Sequence, residues 1–153
     1  MIKKSVLALT MALAASLPLA APASAADSSV REIRGHGLSA CPQEALCLYQ
    51  DSDFNGTDDA RIWIITGEGQ VNALSDHDAN DRTSSVYFNA PGYWQATLFQ
   101  HTKRRGDSTR IEGGTSLSSL SHVSIRSSDL HTSPWWGSFN DEASSVTIWD
   151  PSS

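Results

Sequence analysis

The sequence predicts an all-β protein that folds as a sandwich or a barrel, and three observations support this fold class. Apolar and polar residues alternate in short runs, as in Val123-Ser124-Ile125 and Val146–Trp149. Clusters of Gly, Pro, Asn, Asp and Ser separate these runs. After position 25, no window of eleven residues keeps the 3.6-residue period of an amphipathic helix. Short strands with turn signals between them are typical of sandwiches and barrels.

The other predicted strands each have a signal of their own. Residues 45–49 are a short apolar run, and residues 61–65 are β-branched and aromatic, which favours a strand. Residues 85–88 form a further run that ends at Pro91-Gly92. Residues 94–98 alternate in polarity, with Trp, Ala and Leu on one face.

The first 25 residues are typical of a secretory signal peptide. Lys3 and Lys4 form a basic start, Val6–Leu19 is an apolar run, and Ala23-Ser24-Ala25 fits a small-residue cleavage site. A membrane anchor is the alternative, but the apolar run is shorter than the roughly 18 residues that a span requires. We therefore predict a signal peptide over residues 1–25 and a secreted protein, extracellular or periplasmic.

The charge of the chain excludes two classes of partner. The chain has 11 Lys and Arg and 17 Asp and Glu, a formal charge of −6. Without Lys3 and Lys4, nine basic residues face seventeen acidic ones, which gives −8. Such a protein does not neutralise a phosphate backbone or an anionic membrane surface. We predict a soluble monomer with no nucleic-acid partner and no membrane contact.

Two features precede the first predicted strand. Residues 26–40 are polar and lack periodicity, so we predict a flexible leader. Cys41 and Cys47 are the only cysteines, and an oxidising compartment favours a disulfide between them. The alternative is two free, buried thiols. A loop this short limits the entropic stabilisation by a disulfide to about 2 kcal/mol.

The chain also contains an internal repeat. Tyr49–Gly56 reads aromatic, six residues, glycine, and Phe99–Gly106 repeats this pattern. The turn sequence Asn80-Asp81-Arg82-Thr83-Ser84-Ser85 is matched by Asn140-Asp141-Glu142-Ala143-Ser144-Ser145. The two pairs of signals occur in the same order, and the second copy is longer. The extra residues lie in the stretch 113–137, which is rich in Ser and Gly.

This doubled pattern resembles the Greek-key signature of the βγ-crystallins. The opening Cys41-Pro42 and Leu46-Cys47-Leu48-Tyr49, behind a signal peptide, is similar to the small secreted bacterial metalloproteinase inhibitors that have this fold. The resemblance implies a sandwich of two Greek-key motifs over residues 41–150. Motif one would span about 41–90 and motif two about 91–150.

The resemblance agrees with the physical requirements of a folded hairpin. A hairpin that folds back on its sheet needs a residue that tolerates positive φ, which accounts for Gly56 and Gly106. The aromatic residue seven positions earlier, Tyr49 or Phe99, can cover the hairpin. A serine of the last strand can form hydrogen bonds with the hairpin backbone. These roles are structural and need no ligand.

The paired turns are the candidate metal sites. In the crystallin family such turns bind calcium through a Ser or Thr hydroxyl and backbone carbonyls, and hard oxygen ligands suit Ca²⁺. The resemblance implies up to two ions. The first would be bound by Asn80, the carbonyl of Arg82, Ser84 and, from the first hairpin of the other repeat, a backbone oxygen of Gln100. The second would be bound by Asn140, the carbonyl of Glu142, Ser144 and a backbone oxygen of Gln50. Asp81 and Asp141 would act through their charge or a bridging water. The alternative is that both turns serve folding alone.

Two surface features allow two interpretations each. Lys103-Arg104-Arg105 is the one basic cluster, and we interpret it as a solvated turn rather than a site for an acidic partner. Trp135-Trp136 can cover the core or face a partner, and we favour the core.

The function predicted from this resemblance is inhibition of a secreted metalloproteinase by a non-enzymatic protein whose fold calcium stabilises. Neither Gly-x-Ser-x-Gly nor His-Glu-x-x-His occurs, and the five histidines lack ligand-like spacing. The inhibitors that the chain resembles carry a further disulfide that braces their reactive loop, and this chain has no second cysteine pair. The alternatives are a calcium-binding structural or stress protein and a small secreted antimicrobial toxin.

Overall fold

The computed structural model describes residues 28–128 and 133–152, and these residues form two antiparallel β-sheets. The all-β prediction is confirmed. In chain order, the strands are β1 Ser29–Gly35, β2 Ala45–Tyr49, β3 Ala60–Thr66, β4 Gly69–Val71, β5 Ser85–Asn89, β6 Gln95–His101, β7 Arg105–Glu112, β8 Ser116–Leu117, β9 Val123–Arg126, β10 Trp135–Gly137 and β11 Ser145–Trp149. The helical segments of the described chain are single 3₁₀ turns, and none is long or apolar enough to cross a membrane.

The two sheets exchange one strand each. Sheet one has the order β1-β3-β2-β5-β8, and sheet two has the order β10-β9-β7-β6-β11-β4. Motif one contributes β2, β3 and β5 to sheet one and sends β4 to sheet two. Motif two contributes β6, β7 and β11 to sheet two and sends β8 to sheet one. This exchange is the Greek-key connection that the repeat predicts, and it makes the two motifs share one core.

The main core lies between the inner faces of the sheets. Trp63 and Phe88 come from sheet one, Leu98 and Val146 come from sheet two, and all four are fully buried. Phe139 fills the core from the segment that leads into β11. Burial of each large apolar side chain stabilises the fold by about 1.5–3 kcal/mol.

A second, smaller cluster covers the outer face of sheet one. Cys47, Tyr49, Ile62 and Ile64 point away from the main core and are still buried. The segment 37–41 covers them and is fastened by the predicted disulfide, which joins Cys41 to Cys47 with a Cα–Cα distance of 5.9 Å. The structure therefore confirms the disulfide and places it over the outer face.

The predicted flexible leader, residues 26–40, is wrong for most of its length. Residues 29–35 form β1, which pairs with β3 from Ser29↔Thr66 to Gly35↔Ala60. The polar sequence gave no periodicity because β1 is an edge strand with mostly exposed side chains, and it is ordered by its backbone pairing. The predicted signal peptide, residues 1–25, lies outside the described residues.

Both hairpins fold back as the sequence predicts. Gly56 has φ of +55° and Gly106 has φ of +77°, the left-handed region that glycine tolerates best. The hydroxyl of Ser85 donates to the carbonyl of Asp51 at 2.6 Å and accepts from the amide of Phe54 at 3.0 Å. Each hairpin is thus latched by one buried serine of the last strand in its motif.

The second latch repeats the first. The hydroxyl of Ser145 donates to the carbonyl of His101 at 2.6 Å and accepts from the amide of Arg104 at 3.0 Å. The aromatic positions differ, because Tyr49 packs edge-on against a hairpin ring, Phe54, at 5.5 Å, whereas Phe99 is only half-buried.

The extra residues of motif two form the hairpin β9–β10, which extends sheet two beside β7. It lies inside the stretch 113–137 that the repeat identified. The favoured interpretation of the two tryptophans is wrong, because Trp135 is 42% exposed and Trp136 is 68% exposed. They stand on an edge strand of three residues, where too little structure surrounds them to bury them.

Candidate functional site

The two turns 80–85 and 140–145 lie side by side and form the candidate metal site. Each turn enters the last strand of its motif, β5 or β11. Asp81 and Asp141 adopt φ of 53° and 54°, a conformation that short polar residues tolerate. The turns exchange backbone hydrogen bonds, from the Asp81 amide to the Ala143 carbonyl at 3.1 Å and from the Asp141 amide to the Thr83 carbonyl at 2.9 Å. The pair is therefore related by an approximate twofold axis.

The serine and aspartate side chains cross between the turns. The hydroxyl of Ser84 donates to Oδ1 of Asp141 at 3.3 Å, and the hydroxyl of Ser144 donates to Oδ1 of Asp81 at 3.4 Å. The serines are buried and the aspartates are exposed. Each hydroxyl thus faces the carboxylate of the opposite motif, with the carboxylate on the solvent side.

The two asparagines orient these carboxylates. Nδ2 of Asn80 donates to Oδ2 of Asp81 at 2.6 Å, and Nδ2 of Asn140 donates to Oδ2 of Asp141 at 2.7 Å. In each carboxylate one oxygen is engaged by the neighbouring asparagine, and the other oxygen points towards the opposite serine.

The glutamines stand in the opposite arrangement from the predicted one. Gln50 lines a cleft of about 250 Å³ together with Arg82, Ser84 and Asp141. Nε2 of Gln100 donates to Oε2 of Glu142 at 3.2 Å. The structure therefore places Gln50, not Gln100, beside Ser84, and Gln100, not Gln50, beside the turn that contains Ser144, while ligation of a metal ion by these residues stays a prediction.

The reason lies in the sheet register. The amide of Ser84 donates to the carbonyl of Tyr49 at 3.0 Å, and the amide of Ser144 donates to that of Phe99 at 2.8 Å. Each glutamine directly follows one of these aromatic residues, so it stays beside the turn of its own motif. The aspartate, not the glutamine, comes from the other motif.

Two candidate ligand sets follow from this geometry. Clamp one consists of Gln50, the carbonyl of Arg82, Ser84 and Asp141, and clamp two consists of Gln100, the carbonyl of Glu142, Ser144 and Asp81. Within the described part of the chain, no residue donates a hydrogen bond to either backbone carbonyl of the clamps. All of these potential ligands are oxygens, which fits the preference of Ca²⁺.

The charge at the clamps is modest. Asp51, Asp81 and Asp141 line the cleft of clamp one together with a single cation, Arg82. The guanidinium of Arg82 lies 3.4 Å from Asp78. A hydrogen bond from Arg61 to the same carboxylate lowers the pKa of Asp78 below its usual value. Among residues 28–128 and 133–152, no three His, Cys, Asp or Glu side chains are placed to hold one metal ion together, so an ion in the clamps would depend on hydroxyl and carbonyl oxygens as well.

The braced turn, which we define as residues 37–41, is the second feature of interest. The amide of Gly37 donates to the carbonyl of Phe54 at 2.8 Å, and its carbonyl accepts from the hydroxyl of Tyr49 at 3.0 Å. The disulfide fixes the other end at Cys41. Between these anchors Leu38 is 39% exposed, so the turn presents an apolar side chain to solvent on a fixed backbone. Sequence reasoning found the disulfide but missed the turn, because the other anchors, Tyr49 of β2 and Phe54 of the first folded hairpin, reach Gly37 only in the folded structure.

The basic cluster forms the tip of the second folded hairpin. Lys103 and Arg104 have positive φ values of 59° and 60°, and all three basic side chains are exposed. The amide of Lys103 donates to the carbonyl of Asn72 at 2.8 Å, which fixes the backbone of the tip.

Comparison with known proteins finds a match to one protein family. The model of peptidase inhibitor family I36 matches residues 36–111, from the braced turn to the end of β7. Over these residues the chain belongs to peptidase inhibitor family I36. The family consists of inhibitors, and this confirms the prediction that the protein is not an enzyme. No curated protein matches the chain.

Solved structures give the fold. A structure titled "Evolution of the eye lens beta-gamma-crystallin domain fold" is similar with a TM-score of 0.55 and 22% identity, and the match covers 79% of this chain and 97% of that chain. A βγ-crystallin of Ciona intestinalis matches with a TM-score of 0.47 and 21% identity, over 69% of this chain and 99% of that chain. A βγ-crystallin domain of Flavobacterium johnsoniae matches with a TM-score of 0.47 and 22% identity, over 71% of this chain and 97% of that chain. The predicted βγ-crystallin fold is confirmed.

Proposed function

We propose that the protein is an exported inhibitor of metalloproteinases whose sandwich is stabilised by calcium. The match to the inhibitor family over residues 36–111 carries the proposal. The matched segment contains the disulfide, both folded hairpins and the serine that latches the first of them. A disulfide between Cys41 and Cys47 supports export, because disulfides persist in oxidising compartments.

The braced turn is the proposed contact with the peptidase. A loop that is already ordered loses little conformational entropy when it enters a cleft, so rigidity favours tight binding. Residues 37–41 are held by hydrogen bonds at Gly37 and by the disulfide at Cys41. Exposed Leu38 is the apolar side chain that this turn offers to a pocket of the target. The inhibitors that the chain resembles hold their reactive loop with a further disulfide. In this chain the Cys41–Cys47 disulfide would hold the contact loop instead, at a different position.

An inhibition assay tests this function. The protein from residue 26 onward is titrated against a thermolysin-type zinc peptidase and a subtilisin-type serine peptidase, with a peptide substrate. We expect inhibition of the zinc peptidase alone, and a Leu38→Ala variant should raise the inhibition constant at least tenfold, since about 2 kcal/mol of apolar burial is lost. Tyr93→Ala is the matched control, because Tyr93 is also exposed, at 55%, and belongs to the loop between β5 and β6 rather than to the braced turn.

Three results would count against the proposal in different ways. No inhibition of either peptidase contradicts an inhibitory function for this chain. Inhibition of the serine peptidase alone contradicts the metalloproteinase target. Equal effects of Leu38→Ala and Tyr93→Ala contradict the braced turn as the contact.

Calcium binding by the clamps is the second part of the proposal. Bound Ca²⁺ would supply a divalent charge that ties the two turns together through oxygen ligands. The crossing of Ser84 to Asp141 and of Ser144 to Asp81 supports it, because one ion in each clamp would contact both motifs. An ion bound only to the native state stabilises it by about 2.7 kcal/mol at a hundredfold excess over Kd.

Thermal melts test the clamps. For a domain of this size, millimolar calcium should raise the midpoint by roughly 5–10 °C over a melt in excess EDTA. Ser84→Ala and Asp141→Asn should each remove the same part of this shift, and the double variant should lose no more than either single one. The losses of the calcium shift caused by Ser84→Ala and by Ser144→Ala should instead be additive, since the two serines lie in different clamps.

Coincident melts of the unmutated protein with calcium and with EDTA would show that the turns serve folding alone. Additive effects of Ser84→Ala and Asp141→Asn would contradict the crossed ligand sets. The crossed geometry also favours a second candidate function, a calcium-binding structural protein. A calcium shift without inhibition of either peptidase would identify that function.

A further inference from the structure

The hairpin β9–β10 creates a cleft that the inhibitor function does not use. β9 pairs with β7 at Ser108↔Arg126 and Thr109↔Ile125, and the two strands diverge beyond these pairs. The gap is a cleft of about 330 Å³. Pockets for small ligands begin at about this volume. The hairpin belongs to the extra residues of motif two and lies beyond the segment that matches the inhibitor family.

One wall of the cleft is an aromatic platform. The rings of Trp136 and His122 stack with centroids 5.3 Å apart and an interplanar angle of 17°. Trp136 is nevertheless 68% exposed, so most of its indole still contacts solvent. The stacked imidazole holds the indole in one orientation, and a preorganised ring binds a ligand with little loss of entropy.

The rest of the cleft is polar and carries both signs of charge. The register places Trp136 beside Ser124, on the outer face of sheet two that also contains Arg110 and Arg126. Glu112 lines the cleft as well. Within the described part of the chain, Arg110, Arg126 and Glu112 form no ion pair. Their charged groups are therefore available as hydrogen-bond donors and acceptors for a ligand.

The exposed aromatic ring and the charges of both signs together indicate the chemical class of ligand that the cleft would bind. The arginines disfavour a cation, and Glu112 together with the chain charge of −6 disfavours a polyanion. A neutral sugar ring offers a face of C–H groups for the indole and hydroxyls that both donate and accept. Guanidinium groups only donate and a carboxylate only accepts, so hydroxyl groups satisfy both.

A second exposed tryptophan lies on the same outer face. Trp149 is 51% exposed, and the register places it opposite Gln95, which pairs in turn with Glu112. Trp136 on β10 and Trp149 on β11 are separated by four strand spacings, roughly 19 Å. Two aromatic side chains this far apart on one sheet face suit an extended, ribbon-like ligand. We propose that this face binds an extended neutral β-1,4-linked polysaccharide, with one ring stacked on Trp136 and its hydroxyls bound by Arg110, Arg126 and Glu112.

Nuclear magnetic resonance of the five indole N–H groups tests this site. Cellotetraose and chitotetraose are the neutral β-1,4-linked probes, maltotetraose is the α-linked control, and dextran sulfate is the anionic control. Millimolar amounts of at least one β-linked probe should shift the signals of Trp136 and Trp149. Trp136→Ala should weaken binding at least tenfold.

Trp135→Ala is the matched control. Trp135 is the neighbouring residue, is also exposed, and pairs with the inward-facing Ile125, so it lies on the other side of β10. This variant should bind within twofold of the parent. Glu112→Gln, which preserves shape, should weaken binding several-fold and provides a test if Trp136→Ala does not fold.

The proposal fails if neither β-linked probe shifts the tryptophan signals, if maltotetraose binds equally well, or if only dextran sulfate binds. It also fails if Trp135→Ala and Trp136→Ala lose binding equally. Loss of peptidase inhibition in Trp136→Ala, without sugar binding by the parent, would assign this face to the peptidase instead.

Discussion

Motif one and motif two share a backbone plan but differ on their outer faces. Both have a latched hairpin and contribute one turn to the clamps. The register makes Ile62 of β3 equivalent to Ser108 of β7, and Cys47 of β2 equivalent to Thr97 of β6. In motif one these positions are apolar and lie under the braced turn. In motif two they are polar and half-buried.

The difference shows which positions the fold itself requires. Inward residues such as Trp63 and Leu98 are apolar in both sheets, because both faces meet in one core. Outward residues are free to diverge, since alternate residues of a strand point to opposite faces. In motif one the outward residues are apolar, form the second cluster and pack against residues 37–41. Motif two uses it to present exposed tryptophans on a polar sheet.

Truncation of the second cluster should give the largest difference between the motifs. Ile62→Ala removes a fully buried side chain and should lower the free energy of unfolding by about 3 kcal/mol. Ser108→Ala, at the equivalent position, should change it by less than about 0.5 kcal/mol. Urea unfolding curves measure both values. Similar losses would mean that the outer face of sheet two is also packed.

The latches should behave alike, because their geometry is the same. Ser85→Ala leaves the Asp51 carbonyl and the Phe54 amide without their partner, and Ser145→Ala does the same in motif two. Each substitution should lower the free energy of unfolding by about 2 kcal/mol, which is within the range for buried groups that lose their hydrogen-bond partner. The comparison is made from chemical denaturation of the two single variants. A difference above about 1 kcal/mol would show that only one hairpin depends on its latch.

Alkaline stability should distinguish Tyr49 from its counterpart Phe99. Burial, with a smaller contribution from Tyr87, raises the pKa of Tyr49 to about 12. The folded state therefore disfavours ionisation, so stability is complete below about pH 10 and falls by about 2–3 kcal/mol as the pH rises to about 12. Tyr49→Phe should remove this fall in stability. At neutral pH it should lower the free energy of unfolding by about 1 kcal/mol, because the hydrogen bond to Gly37 is lost.

Unfolding free energies at pH 8 and pH 11 measure the effect of Tyr49. Phe99→Tyr is a useful reverse variant, since a half-buried hydroxyl on motif two should add no such fall. A parent and a Tyr49→Phe variant that lose stability in parallel above pH 10 would show that another group causes the alkaline transition.

The smallest expected effect is at Thr83. Its hydroxyl is buried and has no hydrogen-bond partner among the described residues, whereas Ala143 occupies the equivalent place in motif two. Thr83→Val keeps the shape and removes the unsatisfied group, and it should stabilise the fold by about 1 kcal/mol. A calorimetric melting point that falls in Thr83→Val would indicate a polar partner at this position.

The repeat in the sequence determined most of the architecture. The spacing of Tyr49–Gly56 and Phe99–Gly106, with the two Asn-Asp turns, predicted two Greek keys, the folded hairpins and the position of the insert. These features depend on requirements that each repeat meets with its own residues, such as positive φ at Gly56 and a hydroxyl in the last strand of the motif. Apolar runs, β-branched residues and alternating polarity also predicted β2, β3, β5, β6, β9 and β11, which carry most of the core.

Only the tertiary structure decided the remaining features. β1 and β7 carry polar sequences whose order comes from pairing with distant strands, so local sequence does not show it. The residues that meet in the clamps depend on which strand lies beside each turn. The structure places each glutamine beside the turn of its own motif, whereas the family resemblance implied the turn of the other motif. The exposure of Trp136 depends on an edge position, which hydrophobicity alone cannot reveal. Register and neighbours across the sheet decide these features, because they bring together residues that the sequence separates by dozens of positions.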